Sequence, residues 1–150
     1  MSLVQEVELL RRIPLFANID TAKLKLLAFT SERVVYQAGE VLFEQDQMGD
    51  AAYIIIDGAA DVLVRTEYGQ ALVATVGTFD FVGEIAILCD VPRTATIRAS
   101  DRLEVLKISK DLFLRLITEF PQMAIEIMRV LAQRLERTTK DAAAARQGTS

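Results

Sequence analysis

Between residues 31 and 108 the chain consists of short β-forming runs cut apart by turn residues, and this texture constrains its fold more than any other feature. The runs lie at 33–36, 41–43, 52–56, 62–64, 72–76, 96–99 and 103–108. Ala38-Gly39, Gly49-Asp50, Asp57-Gly58, Tyr68-Gly69 and Gly77 stand between successive runs. Many short strands at such spacing predict a sandwich or a barrel-like roll, not a parallel sheet. Asp57-Gly58, flanked by two apolar runs, predicts a tight hairpin. Residues 83–88 break the texture, because Ile85, Ala86, Ile87 and Leu88 suit one helical turn inside an otherwise β region.

Helical spacing flanks this region on both sides. Val4, Val7 and Leu10 recur on one face before Pro14 stops the run, and Asp20 is placed to cap a second helix carrying Leu24, Leu27 and Ala28. After Ser109, Leu112, Phe113, Leu116 and Ile117 share a face, and Pro121 can open a last helix at a position that tolerates proline. Ala124, Met128, Leu131, Leu135, Thr138, Ala142 and Ala145 then recur in steps of four and three, the spacing of a helical dimer seam. With 150 residues the expectation is one domain over 1–150: N-terminal helices 4–28, strands 31–108 and C-terminal helices 109–146.

Missing residue types narrow the function. The sequence has no histidine, which removes the commonest general base and metal ligand. Cys89 stands alone, so neither an intramolecular disulfide nor a multi-cysteine zinc site can form, and it reads as a small apolar filler. A net charge of −4 argues against nucleic acid. The basic residues near the end, Arg129, Arg134, Arg137, Lys140 and Arg146, alternate with Glu126, Glu136 and Asp141 and read as a solvated helix face. No apolar run reaches the about 18 residues of a membrane-spanning helix, and residues 1–6 lack the pattern of a secretory leader. These features predict a cytoplasmic protein that is not an enzyme, with no metal and no cofactor.

The stretch from Phe81 to Ala99 carries the chemistry. Gly83 allows a close backbone approach, and a helical turn after it would present N–H groups to an anion. Nine positions beyond Glu84 and past Val91-Pro92, Arg93 can fold back over that turn with a guanidinium suited to a phosphate. Glu84 would repel a phosphate but could accept hydrogen bonds from a sugar hydroxyl while Arg93 offsets its charge. An anion site beside a hydroxyl acceptor suits a ribose cyclic phosphate.

Phe81–Ala99 resembles the phosphate-binding cassette of cyclic-nucleotide-binding domains, and Gly39, Gly49-Asp50-Ala51-Ala52-Tyr53 and Gly58 fall at that family's turn positions. The resemblance implies a mainly β fold with flanking helices: an eight-stranded antiparallel β-roll or jelly roll, a cassette helical turn, short N-terminal helices and two C-terminal helices. It implies cAMP or cGMP as ligand. Val82, Gly83, Glu84, Ile85, Ala86, Arg93, Thr94 and Ala95 would form the cassette site. Glu84 would take the ribose 2′-hydroxyl, and Arg93 the phosphate with the N–H groups of Ala86 and Ala95. Val62, Val73 and Ala74 would line the base and sugar pocket. The stretch 133–139 resembles the long helix of the catabolite activator family, where Thr138 and Thr139 would reach the base. Thr94 follows the arginine as in cGMP-binding kinase domains, but cAMP-binding members share it, and cAMP is favoured over cGMP.

Phe79 departs from the family where glycine is frequent. No winged helix-turn-helix follows the last helix, so no DNA-binding domain is expected in this chain. Helix 121–146 is the expected homodimer surface and the route by which binding is signalled. Three readings compete: a degenerate roll in which Glu84 and Arg93 merely pair with each other, an interaction or dimerisation domain without nucleotide, and a small-molecule isomerase on a jelly-roll scaffold.

Overall fold

The structure is a computed structural model that describes residues 2–148, with backbone alone for 141–148. Helix α1 (Leu3–Arg12) opens on a capping box, in which the Ser2 hydroxyl accepts from Gln5 N–H and the Gln5 side chain from Ser2 N–H. Pro14 starts a single 3-10 turn (Pro14–Phe16), and the Asp20 carboxylate caps α2 (Thr21–Thr30) by accepting from Lys23 N–H at 2.9 Å.

Eight strands follow: β1 (Glu32–Tyr36), β2 (Val41–Phe43), β3 (Ala51–Asp57), β4 (Ala60–Thr66), β5 (Gly69–Val76), β6 (Phe81–Val82), β7 (Thr96–Ala99) and β8 (Leu103–Ser109). A helical turn, α3 (Glu84–Leu88), separates β6 from β7, and α4 (Lys110–Glu119) and α5 (Pro121–Gly148) complete the described chain. The strands form two four-stranded antiparallel sheets, ordered β1-β8-β3-β6 and β2-β7-β4-β5. This is the expected eight-stranded roll between helices. The strand that spacing did not isolate is β6, whose two residues are too few to show a period.

The hairpin expected at Asp57-Gly58 does not form. Strand β3 pairs with β6 and β8, whereas β4 pairs with β5 and β7, so the chain changes sheets there. Gly58 has a φ of +99°, and a Cβ on it would collide with the Arg102 carbonyl oxygen. The turn is fastened to the β7–β8 loop, whose Asp101 accepts from Ala59 N–H at 2.9 Å, instead of returning along its own strand. The β4–β5 hairpin at Tyr68-Gly69 forms as the sequence predicts, with Thr66 opposite Gly69.

Side-chain alternation on β3 divides the interior in two. Ala52, Ile54 and Ile56 face the helices with Phe81, Leu106, Ile108, Leu24, Leu27, Phe113 and Leu116. Ala51, Tyr53 and Ile55 face into the roll with Phe43, Val82, Ile97, Leu103 and Val105. Ala51–Ile56 is a continuous apolar run because both its faces are covered. Full burial of each large aliphatic side chain contributes about 1.5–3 kcal/mol, and this double layer fixes the strand on which the site is built.

Met123 and Ile127 of α5 are buried against the helix-side core, with Val130 and Leu131 packed at its margin. The expected seam therefore divides: Ala124 and Leu131 are half-buried in the domain, while Met128 and Leu135 are 60% and 68% exposed. Ile125, Met128 and Leu135, with Ala132 between them, form the outward apolar stripe. The side chains of Ala142 and Ala145 lie outside the described residues.

Candidate functional site

Strand β6 delivers the chain to the site through an irregular turn. Phe79 adopts a φ of +71°, its N–H donating to Ile55 O at 2.7 Å, and Asp80 is held between Gly77 and Ile55. The loop thus takes the left-handed turn that glycine would make, with Phe79 packed at the edge of the helix-side core. Gly83 then caps α3 with a φ of +86°. A Cβ there would lie 2.7 Å from Arg93 Nη1 and 3.1 Å from Ala51 O, so the position requires glycine by conformation and by space.

Arg93 is fixed at both its ends. Its main chain brackets the loop after β2, with Arg93 N–H donating to Gln47 O at 2.7 Å and Arg93 O accepting from Asp46 N–H at 2.8 Å. The residue is 3% exposed, and its guanidinium donates from Nη1 to Gly83 O and from Nη2 to Ala51 O, each at 2.8 Å, and lies 4.0 Å from the Phe43 ring centroid. The expected free fork over the turn is therefore partly spent on main-chain carbonyls, which lock α3 onto β3. Asp50 flanks it, with Oδ1 3.9 Å from Nη2. Gly49 lets α3 seat here, since a Cβ on it would come 2.5 Å from Ala86 Cβ. Burial pulls the Arg93 pKa down, against the pull of Tyr53, Asp50 and Glu84, and a guanidinium remains charged in any case.

Glu84 is 2% exposed, and its partner is not Arg93. Arg134 of α5 donates from Nη1 to Glu84 Oε1 at 3.2 Å and from Nη2 to Phe81 O at 2.8 Å, with its guanidinium 4.9 Å from the Phe81 ring centroid. The simple Glu84–Arg93 ion pair of a degenerate roll is thus not what forms, because the Arg93 fork is turned to the carbonyls and α5 brings a second cation. Burial raises the Glu84 pKa, partly offset by its own backbone hydrogen bond and by Arg134 and Arg93.

Two buried side-chain polar atoms are recorded without a hydrogen-bond partner among the described residues, Glu84 Oε2 and Arg93 Nε. Both belong to the cassette, one an acceptor and the other a donor. Buried polar groups are overwhelmingly paired, so an orphan of each kind at one place fits a ligand offering both a hydroxyl donor and an oxygen acceptor.

The remaining expected residues are placed unequally. Val82 and Ala86 are buried, Ala95 is half-buried, and Ile85 and Thr94 are exposed on the cassette surface. Val62 packs at the margin of the roll interior. Val73 and Ala74 are exposed on β5, where a bulge leaves Val73 without a partner opposite β4. The Thr138 and Thr139 hydroxyls are exposed and donate to Arg134 O and Leu135 O, one turn back along their own helix. Thr138 follows Arg134 by one turn and so shares its face. Sequence reasoning missed Arg134, Asp50, Phe43 and the carbonyls of Ala51 and Gly83. Only the aromatic Phe43 and the Gly49-Asp50 turn could have been suspected from their residue types.

A pH dependence follows from the Glu84 environment. Its raised native value means that protonation favours the folded state. The associated stability is fully present below the ordinary value of 4.5 and is lost as pH rises through the elevated native value. Thermal melts of wild type and Glu84→Gln across that interval test this: wild type should lose stability relative to the variant as pH rises, and parallel curves would refute the assignment.

An arginine of α5 and the cassette thus meet on one two-sheet roll, where the buried orphans Glu84 Oε2 and Arg93 Nε lie. A family model described as the cyclic nucleotide-binding domain matches residues 33–120, and the chain belongs to that family. The cAMP-dependent protein kinase regulatory subunit of Schizosaccharomyces pombe is 33% identical over 121 residues, 81% of this chain and 28% of that protein. A cyclic nucleotide-binding-like protein from Brucella abortus is 32% identical with a TM-score of 0.63, covering 76% of this chain and 98% of that one. The catabolite activator protein of Thermus thermophilus is 26% identical with a TM-score of 0.74, covering 85% of this chain and 61% of that one. The chain spans little more than a quarter of the kinase subunit it resembles. Among the described residues no helix is long and apolar enough to cross a membrane.

Proposed function

We propose that the domain binds a 3′,5′-cyclic nucleotide, cAMP in preference to cGMP, and passes cassette occupancy to α5 without a catalytic step. The observation that carries this reading is the pair of buried orphans, Glu84 Oε2 and Arg93 Nε. A ribose 2′-hydroxyl donates to the first, and a cyclic phosphate oxygen accepts from the Arg93 edge, with the N–H groups of Ala86 and Ala95 beside it. Val62 supports the base side of the pocket. Thr138 and Thr139 reach the base as α5 settles over it, exchanging hydroxyl bonds now made to their own helix. The kinase regulatory subunit among the relatives, described as cAMP-dependent, favours the adenine nucleotide. Thr94 is the position that would read guanine, so Thr94→Ala should lower cGMP affinity more than cAMP affinity.

Ligand protection tests the reading. At 100 times its dissociation constant cAMP should stabilise the fold by about 2.7 kcal/mol, a rise of roughly 5–10 °C in Tm for a domain of this size. 5′-AMP, which lacks the cyclic ester, should protect far less. Equal protection by both, or by neither, would count against the reading.

The outward stripe Ile125, Met128 and Leu135 supports a second element, pairing of α5 with another copy of the chain. Leu135→Arg should leave nucleotide affinity unchanged and shift sedimentation to the monomer; a wild type that sediments as a monomer at high concentration would contradict it.

A further inference from the structure

The β4–β7 ladder stops before it reaches Ala95, Thr94 and Arg93. Its register runs from Ala60 opposite Ala99 to Leu63 opposite Thr96. Continued unchanged, it would set Val64 opposite Ala95 and Arg65 opposite Thr94, drawing that segment flat along β4. Gln45, in the loop after β2, stands at the break. Its N–H donates to Thr96 Oγ1 at 2.9 Å, at the last rung. Its side-chain carbonyl accepts from Arg65 N–H at 2.8 Å, in the place a carbonyl of Thr94 would take. Thr96, which holds this wedge, is 5% exposed. The same loop then becomes the partner of Arg93, whose main chain bonds to Asp46 and Gln47. The Asp46–Arg65 ion pair outside it, 3.2 Å long, is more than half exposed on both sides and adds little. Among the described residues the Thr94 and Ala95 N–H groups have no main-chain partner.

We propose that Gln45 is a positioning residue for the anion half of the site, a side-chain wedge that ends the β4–β7 ladder at Thr96. It thereby keeps Arg93, Thr94 and Ala95 turned to the ligand instead of zipped onto β4. The proposal rests on the reading that the cassette takes a cyclic nucleotide. Main-chain N–H groups left free at the end of a strand, beside a guanidinium, suit a phosphate. Paired into the sheet, the same groups would be spent. The wedge works because an amide side chain imitates a peptide: it supplies the acceptor that the Arg65 N–H needs without bringing a strand with it. Removing that acceptor leaves the Arg65 N–H to be completed by the next rung, from Thr94. The ligand must then break that rung to reach the N–H groups, and its apparent affinity falls by the fraction of molecules that are zipped. Gln45 acts through the path of the chain and does not itself touch the ligand.

The test compares wild type, Gln45→Ala and Gln45→Glu in calorimetric titrations with cAMP at physiological salt. Amide exchange of Thr94 is followed alongside by NMR in the nucleotide-free proteins. The Thr94 amide should exchange freely in wild type and become protected in Gln45→Ala, where the extra rung forms. Affinity for cAMP should fall roughly two- to tenfold in that variant, the scale of one neutral hydrogen bond. Gln45→Glu keeps an acceptor at the same reach, with its charge screened by the salt, and should recover most of both properties. Wild-type affinity in Gln45→Ala would overturn the proposal while leaving the binding reading intact. Weaker binding with a Thr94 amide that still exchanges freely would also overturn it, since a loosened loop alone gives that result. Gln45→Glu behaving as Gln45→Ala would overturn it as well, because the acceptor would not be what matters. Wild type that takes no cAMP would overturn the binding reading, and the positioning role with it, whatever the exchange shows.

Discussion

Arg93→Ala should weaken cAMP binding by roughly 30- to 1,000-fold, the loss expected when a charged partner is removed from a buried site, about 2–4 kcal/mol. The structure adds a second consequence. The guanidinium also donates to the carbonyls of Gly83 and Ala51, so truncation removes one buried and one part-buried hydrogen bond and leaves an opening beneath the Phe43 ring. Leaving such groups unpaired costs about 1–3 kcal/mol each. The variant should therefore melt several degrees lower even without ligand, and this can be read independently of the titration. Arg93→Lys keeps the charge but cannot span the two carbonyls, and it should regain little of either loss. An Arg93→Ala variant with the wild-type melting temperature would show that the lock between α3 and β3 is not formed in solution.

Gly83→Ala should be nearly as damaging, by a different route. Alanine at a φ of +86° costs about 1–2 kcal/mol, and its Cβ would lie 2.7 Å from Arg93 Nη1 and 3.1 Å from Ala51 O. The nearer atom ends a flexible side chain, but two carbonyls and an aromatic ring hold that side chain in place. Overpacking adds about 1–3 kcal/mol, for a total of roughly 2–5 kcal/mol and a fall of about 5–20 °C in Tm. Cyclic-nucleotide affinity should fall at least about tenfold, because Arg93 must give way. Gly39→Ala is the matched control. Its φ is +90° with nothing within 4 Å of the added Cβ, so it carries backbone strain alone and should bind as wild type does. Equal binding by the two variants would mean that crowding at Arg93 is not what Gly83 avoids.

The cassette was readable because its chemistry is local. Gly83, Glu84, Pro92 and Arg93 stand at fixed offsets within one turn and one loop, and the structure brings them to one place. The helices were readable from caps and stops that act over a few residues, as at Asp20, Pro14 and Ser109. What failed was longer-range. Asp57-Gly58 has the chemistry of a hairpin, but local chemistry fixes the bend of the chain and not the sheet it enters next; the β7–β8 loop decides that. Strand β6 has two residues and is specified by its neighbour β3 instead of its own pattern. The Glu84–Arg134 pair joins residues 50 positions apart, and no spacing rule links them. Arg134 read as one of several cations on a solvated face, and only the docking angle of α5 singles it out. The same holds for the heptad spacing on α5, which does not say which positions the domain itself takes: Leu131 packs at the margin of its core and Ala124 is half-buried.

The measurement that bears most directly on the central claim is a calorimetric titration of the purified domain with cAMP and with cGMP. The account predicts saturable one-site binding at micromolar concentration or tighter, with cAMP the stronger ligand. No heat of binding from either nucleotide at millimolar concentration would contradict it, and would leave the buried orphans of Glu84 and Arg93 to be explained by some other ligand.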